Sequence, residues 1–181
     1  MIHKEIIALK KNLLRSSLYP KSFEDSDNKT YSFKSIIECS PELVLSVRNA
    51  KHVLKFMADK HEISLSEHIE FLDSYSNLPR LDYMIISENS EIVGGVNIVL
   101  TRERLEIGKY IGNPNYLRKG IAKLSILSLI NFINEFLPED SEIFARTMAN
   151  NYVNIALNEK IGFKVCSITD KNGFLLMKKV K

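Results

Sequence analysis

Glu106-Ile-Gly-Lys-Tyr-Ile-Gly-Asn-Pro114 leads directly into Asn115-Tyr-Leu-Arg-Lys-Gly-Ile-Ala122, and an apolar stretch then runs to Leu137-Pro138. This order predicts a strand, a short loop and a long helix. The loop ends in Arg118-Lys119-Gly120-Ile121-Ala122, which puts two cations and a glycine at the helix start. Backbone N–H groups at a helix start have no partner within the helix, and the helix dipole adds partial positive charge there. The turn is therefore predicted to bind an anion such as a pyrophosphate.

A second motif follows about thirty residues downstream, with Asn151 and then Leu157-Asn-Glu-Lys-Ile-Gly-Phe163. Together with Glu-x-Gly-x-x-Ile and x-Arg-Lys-Gly-x-Ala, it resembles the two signatures of the GNAT superfamily of N-acetyltransferases, in the same order. The resemblance covers roughly residues 33–180. It implies an acetyl-coenzyme A-dependent acyltransferase, with acetyl-CoA as the co-substrate.

Length and composition restrict the class of protein. A chain of 181 residues with 45% hydrophobic and 26% charged residues is typical of one soluble globular domain. No apolar run reaches the roughly 18–20 residues that a membrane span needs, and charged residues interrupt the N-terminus where a signal peptide would be apolar. The two cysteines, Cys39 and Cys166, lack metal-binding or redox spacing. We therefore expect a cytoplasmic protein with no metal site and no membrane partner.

The net charge of +3 comes from the N-terminal part of the chain. Residues 1–34 contain seven Lys/Arg and four Asp/Glu, whereas the rest contains 18 of each. Because the remaining chain is electrically neutral, no face for nucleic-acid binding is expected.

Apolar residues at helical spacing near the N-terminus predict an amphipathic helix. They are Ile2, Ile6, Leu9 and Leu13. Such a stripe indicates packing on the chain's own domain or on a partner subunit, as in a homodimer. The polar, turn-rich segment from Tyr19 to Thr30 is predicted to be a linker. We therefore divide the chain into residues 1–31, a helix and linker, and residues 32–181, a single acetyltransferase domain.

The remaining elements are predicted in the order β, αα, βββ, α, β, α, ββ. The predicted strands are Ser32–Glu38, Leu81–Ser87, Ile92–Leu100, Leu105–Gly112, Ile143–Met148, Phe163–Ser167 and Phe174–Lys179. Helices are predicted to start at Ser40-Pro41, at the capping box Ser64-Leu-Ser-Glu67, after Gly120 and at Asn151. Gly94-Gly95 predicts a bulge or a close backbone approach. The fold class is α/β (α+β): a mixed, mostly antiparallel central sheet with helices on both faces and an extra N-terminal helix. The GNAT superfamily has the same order of elements.

The resemblance also implies which residues bind the co-substrate. Its pantetheine arm would pair with the strand end at Ile111 and Gly112, and Gly112 would permit close approach. The residues implied for the pyrophosphate are Arg118, Lys119, Gly120, Ile121 and Ala122. Asn151 matches an asparagine that contacts the pantetheine arm, and it also suits a helix cap.

Acid and base residues depart from the superfamily pattern. Where many members have a tyrosine that protonates the leaving thiolate, this chain has Asn158, which can donate a hydrogen bond but cannot act as an acid. Where several relatives have a glutamate base, it has Arg146. The base candidates are Glu106, His68 and, less directly, Tyr110.

The acceptor side resembles nucleotide-sugar amine acetyltransferases of pseudaminic acid biosynthesis. That resemblance assigns Arg48, Met57 and His68 to the acceptor pocket, and Tyr110 completes the candidates. The leading function is N-acetylation of a small amine, a nucleotide-linked amino sugar. The missing tyrosine is also a feature of acetyltransferases resembling those of ribosomal-protein N-termini, and a non-catalytic acetyl-CoA-binding module is the third alternative.

Overall fold

A computed structural model describes residues 18–101, 104–136, 141–167, 170 and 172–180. These residues form one eight-stranded sheet in the order β1-β2-β3-β4-β5-β6-β8-β7. The strands are β1 (Phe23–Glu24), β2 (Thr30–Ser35), β3 (Arg80–Ser87), β4 (Ile92–Leu100), β5 (Leu105–Ile111), β6 (Ile143–Met148), β7 (Phe163–Ser167) and β8 (Phe174–Lys179). Six of the seven strand pairs within the described residues are antiparallel, and β5 with β6 is parallel. The predicted mixed, mostly antiparallel sheet is confirmed.

Helices cover both faces of the sheet. They are α1 (Pro41–Arg48), α2 (Lys51–Leu54), α3 (Leu65–Ser74), α4 (Ile121–Asn134) and α5 (Tyr152–Lys160). Strand β3 is buried on both faces: Tyr83 and Ile85 belong to the cluster that includes α4, whereas Met84 and Ile86 pack with α1. Burying one such side chain contributes roughly 1.5–3 kcal/mol, so the near-continuous apolar run of β3 specifies a central strand.

The predicted helix caps are present. In the capping box of α3, the Glu67 N–H donates to Ser64 Oγ at 3.3 Å, and the Ser64 N–H donates to Glu67 Oε2 at 2.7 Å. Helix α5 is capped by Asn151, whose Oδ1 accepts from the Asn154 N–H at 3.2 Å. Short-range hydrogen bonds of this kind depend only on neighbouring residues, which is why sequence patterns locate them.

The N-terminal part of the domain differs from prediction. The first predicted strand, Ser32–Glu38, ends at Ser35, because Ile36–Glu38 forms a 3₁₀ turn in which Glu38 Oε2 accepts from the Ser35 N–H. The predicted linker also contains a strand, since Phe23 pairs with Tyr31 and stacks on its ring at 5.3 Å. The predicted amphipathic helix at Ile2–Leu13 lies outside the described residues and stays a prediction.

Two features of β4 and β5 shape the site. Ile85 pairs with Gly94 and Ile86 with Ile92, so β4 has a bulge at Val93. A Cβ on Gly94 would lie 2.1 Å from the Tyr110 carbonyl oxygen on β5. Of the two alternatives predicted for Gly94-Gly95, the close approach is therefore confirmed at Gly94, and the bulge lies at the preceding residue, Val93.

Strands β5 and β6 pair at one end only. Leu105–Ile107 pairs with Ile143–Ala145, but Gly108–Ile111 pairs only with β4, and Arg146–Met148 only with β8. The two parallel strands therefore diverge after Ile107 and leave an opening in the middle of the sheet. We call this opening the wedge.

None of the helices in the described part of the chain is long and apolar enough to cross a membrane.

Candidate active site

The wedge opens into a cleft with a volume of about 600 Å³, whose walls come mainly from strands β3 to β6, from helices α1, α2, α3 and α5 and from the loop after α2. Residues predicted for both substrates meet in this cleft. Those predicted residues that line it are Arg48, Met57, His68, Tyr110, Ile111, Ala122, Asn151 and Asn158. A volume of this size is within the range of ligand pockets, about 300–1,000 Å³.

The turn before α4 has the shape of an anion site. Arg118 and Gly120 have φ angles of 64° and 77°, on either side of Lys119, and α4 starts without a side-chain cap. Successive N–H groups in such a turn point to a common centre, where the helix dipole also favours negative charge. A Cβ on Gly120 would have no atom within 4 Å, so the turn is open. Ile121 is buried, so its side chain offers no contact to a ligand.

The divergence of β5 from β6 leaves the β5 backbone edge available from Gly108 onward. An extended chain of amides can pair with such an edge as an added strand does. The Ile111 carbonyl oxygen, however, already lies 2.9 Å from His52 Nε2 on α2. His52 therefore closes the end of this edge, and sequence reasoning missed it because its partner is 59 residues away.

Gly112 has a neighbour that the sequence did not predict. A Cβ at this position would lie 2.0 Å from the Val47 carbonyl oxygen at the end of α1. The glycine therefore allows α1 to approach the end of β5, whereas the sequence predicted an approach of the co-substrate at this position.

We call the part of the cleft formed by α1, α3 and the loop with Met57 its acceptor half, because the residues predicted for the acceptor lie there. Two polar atoms in this half are buried without a partner among the described residues. They are Arg48 Nη1, at the last residue of α1, and His68 Nε2 on α3. Burial lowers the pKa of both side chains. Leaving such a group unsatisfied costs about 1–3 kcal/mol, so these atoms indicate a place for hydrogen-bonding ligand atoms.

Asn49 holds the loop that carries this half of the cleft. Its Nδ2 donates to the Ile63 carbonyl at 2.8 Å, and its Oδ1 accepts from the Ile63 N–H at 3.1 Å. The Asn49 side chain thus pairs with the backbone of Ile63, the residue before the α3 cap, as a neighbouring strand would. The loop between Asn49 and Ile63, which carries Met57, is therefore fixed at both ends.

We call the part of the cleft between β5, β6 and α5 its donor half. Asn158 is buried there and is hydrogen-bonded to Lys109, which was not among the predicted site residues. Lys109 Nζ on β5 donates to Asn158 Oδ1 at 2.6 Å, and Asn158 Nδ2 contacts Met177 Sδ at 3.5 Å. Burial lowers the pKa of Lys109 to about 8. The sequence did contain a signal, because strand alternation puts Lys109 on the same apolar face as Ile107 and Ile111.

Comparison with protein families identifies the architecture. A family profile described as an acetyltransferase (GNAT) domain matches residues 38–164, which is most of the chain. The chain belongs to the GNAT acetyltransferase family. It is an acyltransferase, and acetyl-CoA is its co-substrate.

Solved structures share the GNAT fold over nearly the whole domain. A domain from Methanocaldococcus jannaschii is 25% identical, with 83% of this chain and 97% of that chain covered and a TM-score of 0.71. The aminoglycoside acetyltransferase AAC(6′)-Ib with ribostamycin and coenzyme A is 16% identical, with coverages of 83% and 93% and a TM-score of 0.70. Spermidine N-acetyltransferase from Vibrio cholerae with CoA and spermine is 13% identical, with coverages of 82% and 92% and a TM-score of 0.69. No curated protein sequence matches the chain.

The residues present fit acetyl-CoA. The turn from Arg118 to Ala122 offers backbone N–H groups and two cations to a diphosphate, and the open β5 edge offers peptide groups to the two amides of the pantetheine arm. Asn151 lines the cleft, although its Oδ1 already caps α5. The structure therefore supports the helix-cap role directly and leaves its amide nitrogen available to a ligand.

Neither the candidate base Glu106 nor Arg146, at the usual position of the base, is equipped for that role here. Glu106 forms an ion pair with Arg104 at 2.9 Å where β5 is still paired with β6, and it does not line the cleft. Arg146 pairs with Asp170 at 2.6 Å and packs on the Phe174 ring. Among the three base candidates, the structure brings His68 and Tyr110 to the cleft but not Glu106.

Proposed function

We propose that this GNAT enzyme transfers the acetyl group of acetyl-CoA to the primary amine of a small acceptor that carries an anionic group, specifically an amino sugar linked to a nucleotide. The charge of the cleft supports this proposal. Its described walls contain Arg48, Arg80, Lys109 and Arg146, with Glu67 and Asp82. Because Arg80 pairs with Asp82 and Arg146 with Asp170, the remaining charges are Arg48 and Lys109 against Glu67, a surplus of one positive charge.

The acidic residues are largely engaged already. Arg80 Nε and Nη2 donate to the two oxygens of Asp82 at 2.7 and 2.5 Å, and Glu67 Oε2 accepts from the Ser64 N–H in the α3 cap. A polycationic acceptor needs free carboxylates, which this wall does not offer. An acceptor with phosphate oxygens finds complementary charge instead.

Arg48 is the residue that carries the proposal. Its Nη1 is buried in the acceptor half of the cleft and has no hydrogen-bond partner among the described residues. A guanidinium presents its N–H groups in a planar fork that matches phosphate geometry. His68 Nε2, also buried and unpartnered, supplies a second polar contact to the same half.

The solved neighbours give the appropriate comparison. AAC(6′)-Ib has been solved with ribostamycin, and the Vibrio cholerae enzyme with spermine. Both acceptors are small polyamines, which supports a small amine as acceptor. The positive cleft of this chain favours a different member of that class, one with negative charge beside its amine.

A thiol-release assay with a panel of amines tests the proposal. We expect turnover of a UDP-linked 4-amino sugar and little with spermidine, ribostamycin or peptides with ribosomal-protein N-termini. Turnover of the peptides alone would make the enzyme a protein N-terminal acetyltransferase, and turnover of spermidine alone would refute an anionic acceptor.

Substitution of Arg48 makes the test specific to the acceptor. A charged hydrogen bond contributes about 1.5–3 kcal/mol, so Arg48→Ala should raise KM for the nucleotide sugar by roughly 10- to 150-fold. KM for acetyl-CoA should not change. Lys51→Ala, an exposed cation on α2, is the control and should leave both constants unchanged.

A further inference from the structure

We propose that Lys109 is the general acid of the reaction, that it protonates the departing thiolate of coenzyme A, and that Asn158 positions it. Asn158 stands where many GNAT enzymes have a tyrosine acid, and an amide has no proton to transfer near neutral pH. The lysine bonded to it does have one.

Geometry is the first argument. Lys109 Nζ lies 2.6 Å from Asn158 Oδ1, and both side chains line the cleft. Lys109 is two residues beyond Ile107, the last β5 residue that pairs with β6, so it lies where the wedge begins to open. The acyl donor is expected to pass between these two strands, and its sulfur would therefore travel close to this ammonium group.

The orientation of the ammonium group is the second argument. Asn158 is 1% exposed, and its Nδ2 contacts Met177 Sδ on β8, so its amide cannot turn freely. With Nδ2 held on one side, Oδ1 faces the lysine. A lysine has three donors and four flexible side-chain bonds, and one fixed acceptor leaves two N–H groups for a ligand.

The surroundings of Lys109 are the third argument. Asn158 on α5, Ala122 on α4 and Met177 on β8 are uncharged, and Arg146 on β6 is paired with Asp170. On α2, His52 faces the Ile111 carbonyl. The acidic residues of the cleft wall, Glu67 and Asp82, belong to α3 and to the face of β3 that packs with α1, which is opposite to the face of Lys109.

Because no carboxylate of the described cleft wall compensates its charge, burial alone lowers the pKa of Lys109 to about 8. With a pKa of about 8, the Lys109 ammonium is still protonated at neutral pH and gives up its proton more readily than an ordinary lysine, as a general acid at this pH must.

The acceptor nitrogen forms a bond to the acetyl carbon and loses one proton to water. The carbon–sulfur bond breaks, the sulfur keeps the bonding electron pair, and it takes a proton from Lys109 Nζ. Lys109 is left as a neutral amine and recovers a proton from water. The products are the acetylated amine and the free thiol of coenzyme A.

The first test needs no acceptor and no turnover. The ultraviolet absorbance of the thiolate reports the ionisation of bound coenzyme A as pH is varied. A nearby cation should lower the pKa of the bound thiol by about one to three pH units relative to free coenzyme A. Lys109→Met should abolish this lowering, and Lys109→Arg should retain it, because arginine stays charged above pH 12.

The second test separates an acid from a mere cation. In the native enzyme, kcat should fall as pH rises through the pKa of Lys109, because the acid is then deprotonated. Lys109→Met and Lys109→Arg should both lower kcat by roughly 100-fold or more and remove this descending limb, with KM for acetyl-CoA nearly unchanged. Lys164→Met, at an exposed lysine on β7, is the matched control and should behave as the native enzyme.

The outcomes are distinct. If Lys109→Arg keeps native kcat and the same pH profile, Lys109 acts only as a charge and the proposal fails. If Lys109→Met leaves the bound thiol pKa unchanged, Lys109 does not reach the sulfur, and the proposal also fails. Should Lys109→Met not fold, Lys109→Gln, which is also uncharged, takes its place in both tests. The thiol titration uses coenzyme A alone and does not depend on which amine is the natural acceptor, and the kcat comparisons can be made with any amine that the enzyme acetylates.

Discussion

Replacing Gly112 with alanine tests whether this glycine serves the packing of α1 or the approach of acetyl-CoA. The added Cβ would lie 2.0 Å from the Val47 carbonyl oxygen, 2.5 Å from its carbon and 2.6 Å from its Cα. Real Cβ contacts stay above 3.0 Å, so the end of α1 and the end of β5 must separate by about 1 Å. All three atoms belong to the backbone, and no rotamer change relieves the clash.

The expected cost follows from this displacement. Overpacking a well-packed interior typically costs 1–3 kcal/mol, and a clash with backbone atoms belongs at the upper end, about 3 kcal/mol. For a protein of this size, each kcal/mol shifts Tm by roughly 2–4 °C, so Gly112→Ala should lower Tm by about 6–12 °C. Because Arg48 follows Val47, KM for the acceptor should rise as well.

Gly108→Ala on the same strand is the matched control. Its Cβ would meet Asn97 Oδ1 at 2.4 Å, but this atom is the end of a side chain that can rotate away. Rotation costs about 0.5–1.5 kcal/mol, and the loss of glycine's freedom in the unfolded chain offsets part of it. Tm of this variant should therefore stay within about 4 °C of the native value.

The assay is thermal unfolding of the protein without coenzyme A, combined with calorimetry of acetyl-CoA binding. If Gly112→Ala keeps the native Tm but binds acetyl-CoA many-fold more weakly, the glycine serves the co-substrate and the packing argument is refuted.

Three further predictions address other parts of the molecule. Asn158→Ala leaves the Lys109 ammonium without its hydrogen-bond acceptor and should lower kcat about tenfold. Asn158→Tyr forces a larger ring into a fully buried site and should lower both kcat and Tm. A faster Asn158→Tyr enzyme would contradict this account. Burial lowers the pKa of His68 below its value in the unfolded chain. The contribution of His68 to the free energy of unfolding is therefore fully present above about pH 6.5 and is lost as pH falls through the folded pKa. Urea unfolding of His68→Gln should show a smaller loss of stability between about pH 7.5 and pH 5, and a loss equal to that of the native protein would exclude His68 as its source. Deletion of residues 1–17 should lower Tm or change the elution volume without changing the affinity for acetyl-CoA, because an isolated amphipathic helix needs a docking surface; if neither changes, the segment is only a tail.

Local patterns in the sequence were sufficient for most of the secondary structure. The strands Ile92–Leu100, Ile143–Met148, Phe163–Ser167 and Phe174–Lys179 have the predicted bounds. The capping box at Ser64 has the predicted hydrogen bonds. These features depend on side-chain alternation and on contacts between residues three or four positions apart. Both can be read from a short segment of sequence without knowledge of the rest of the fold.

The family was also accessible from the sequence, because two motifs with fixed order and spacing carry it. Of the residues predicted for the donor, Ile111, Ala122 and Asn151 line the cleft together with the predicted acceptor residues, whereas Gly112 and the turn from Arg118 to Ile121 are not part of its lining. What the motifs lacked was any information on partners, since a motif records which residues occur and not what each one contacts.

Those contacts were decided by the tertiary structure. Lys109 meets Asn158 across 49 residues of chain, Val47 occupies the space beside Gly112, and His52 meets the Ile111 carbonyl across 59 residues. Each depends on how β5 diverges from β6 and how α1 crosses the sheet. Hydrophobic periodicity tells which face of a strand is buried, but the pairing of polar groups depends on distances between distant segments, and only the folded chain determines those.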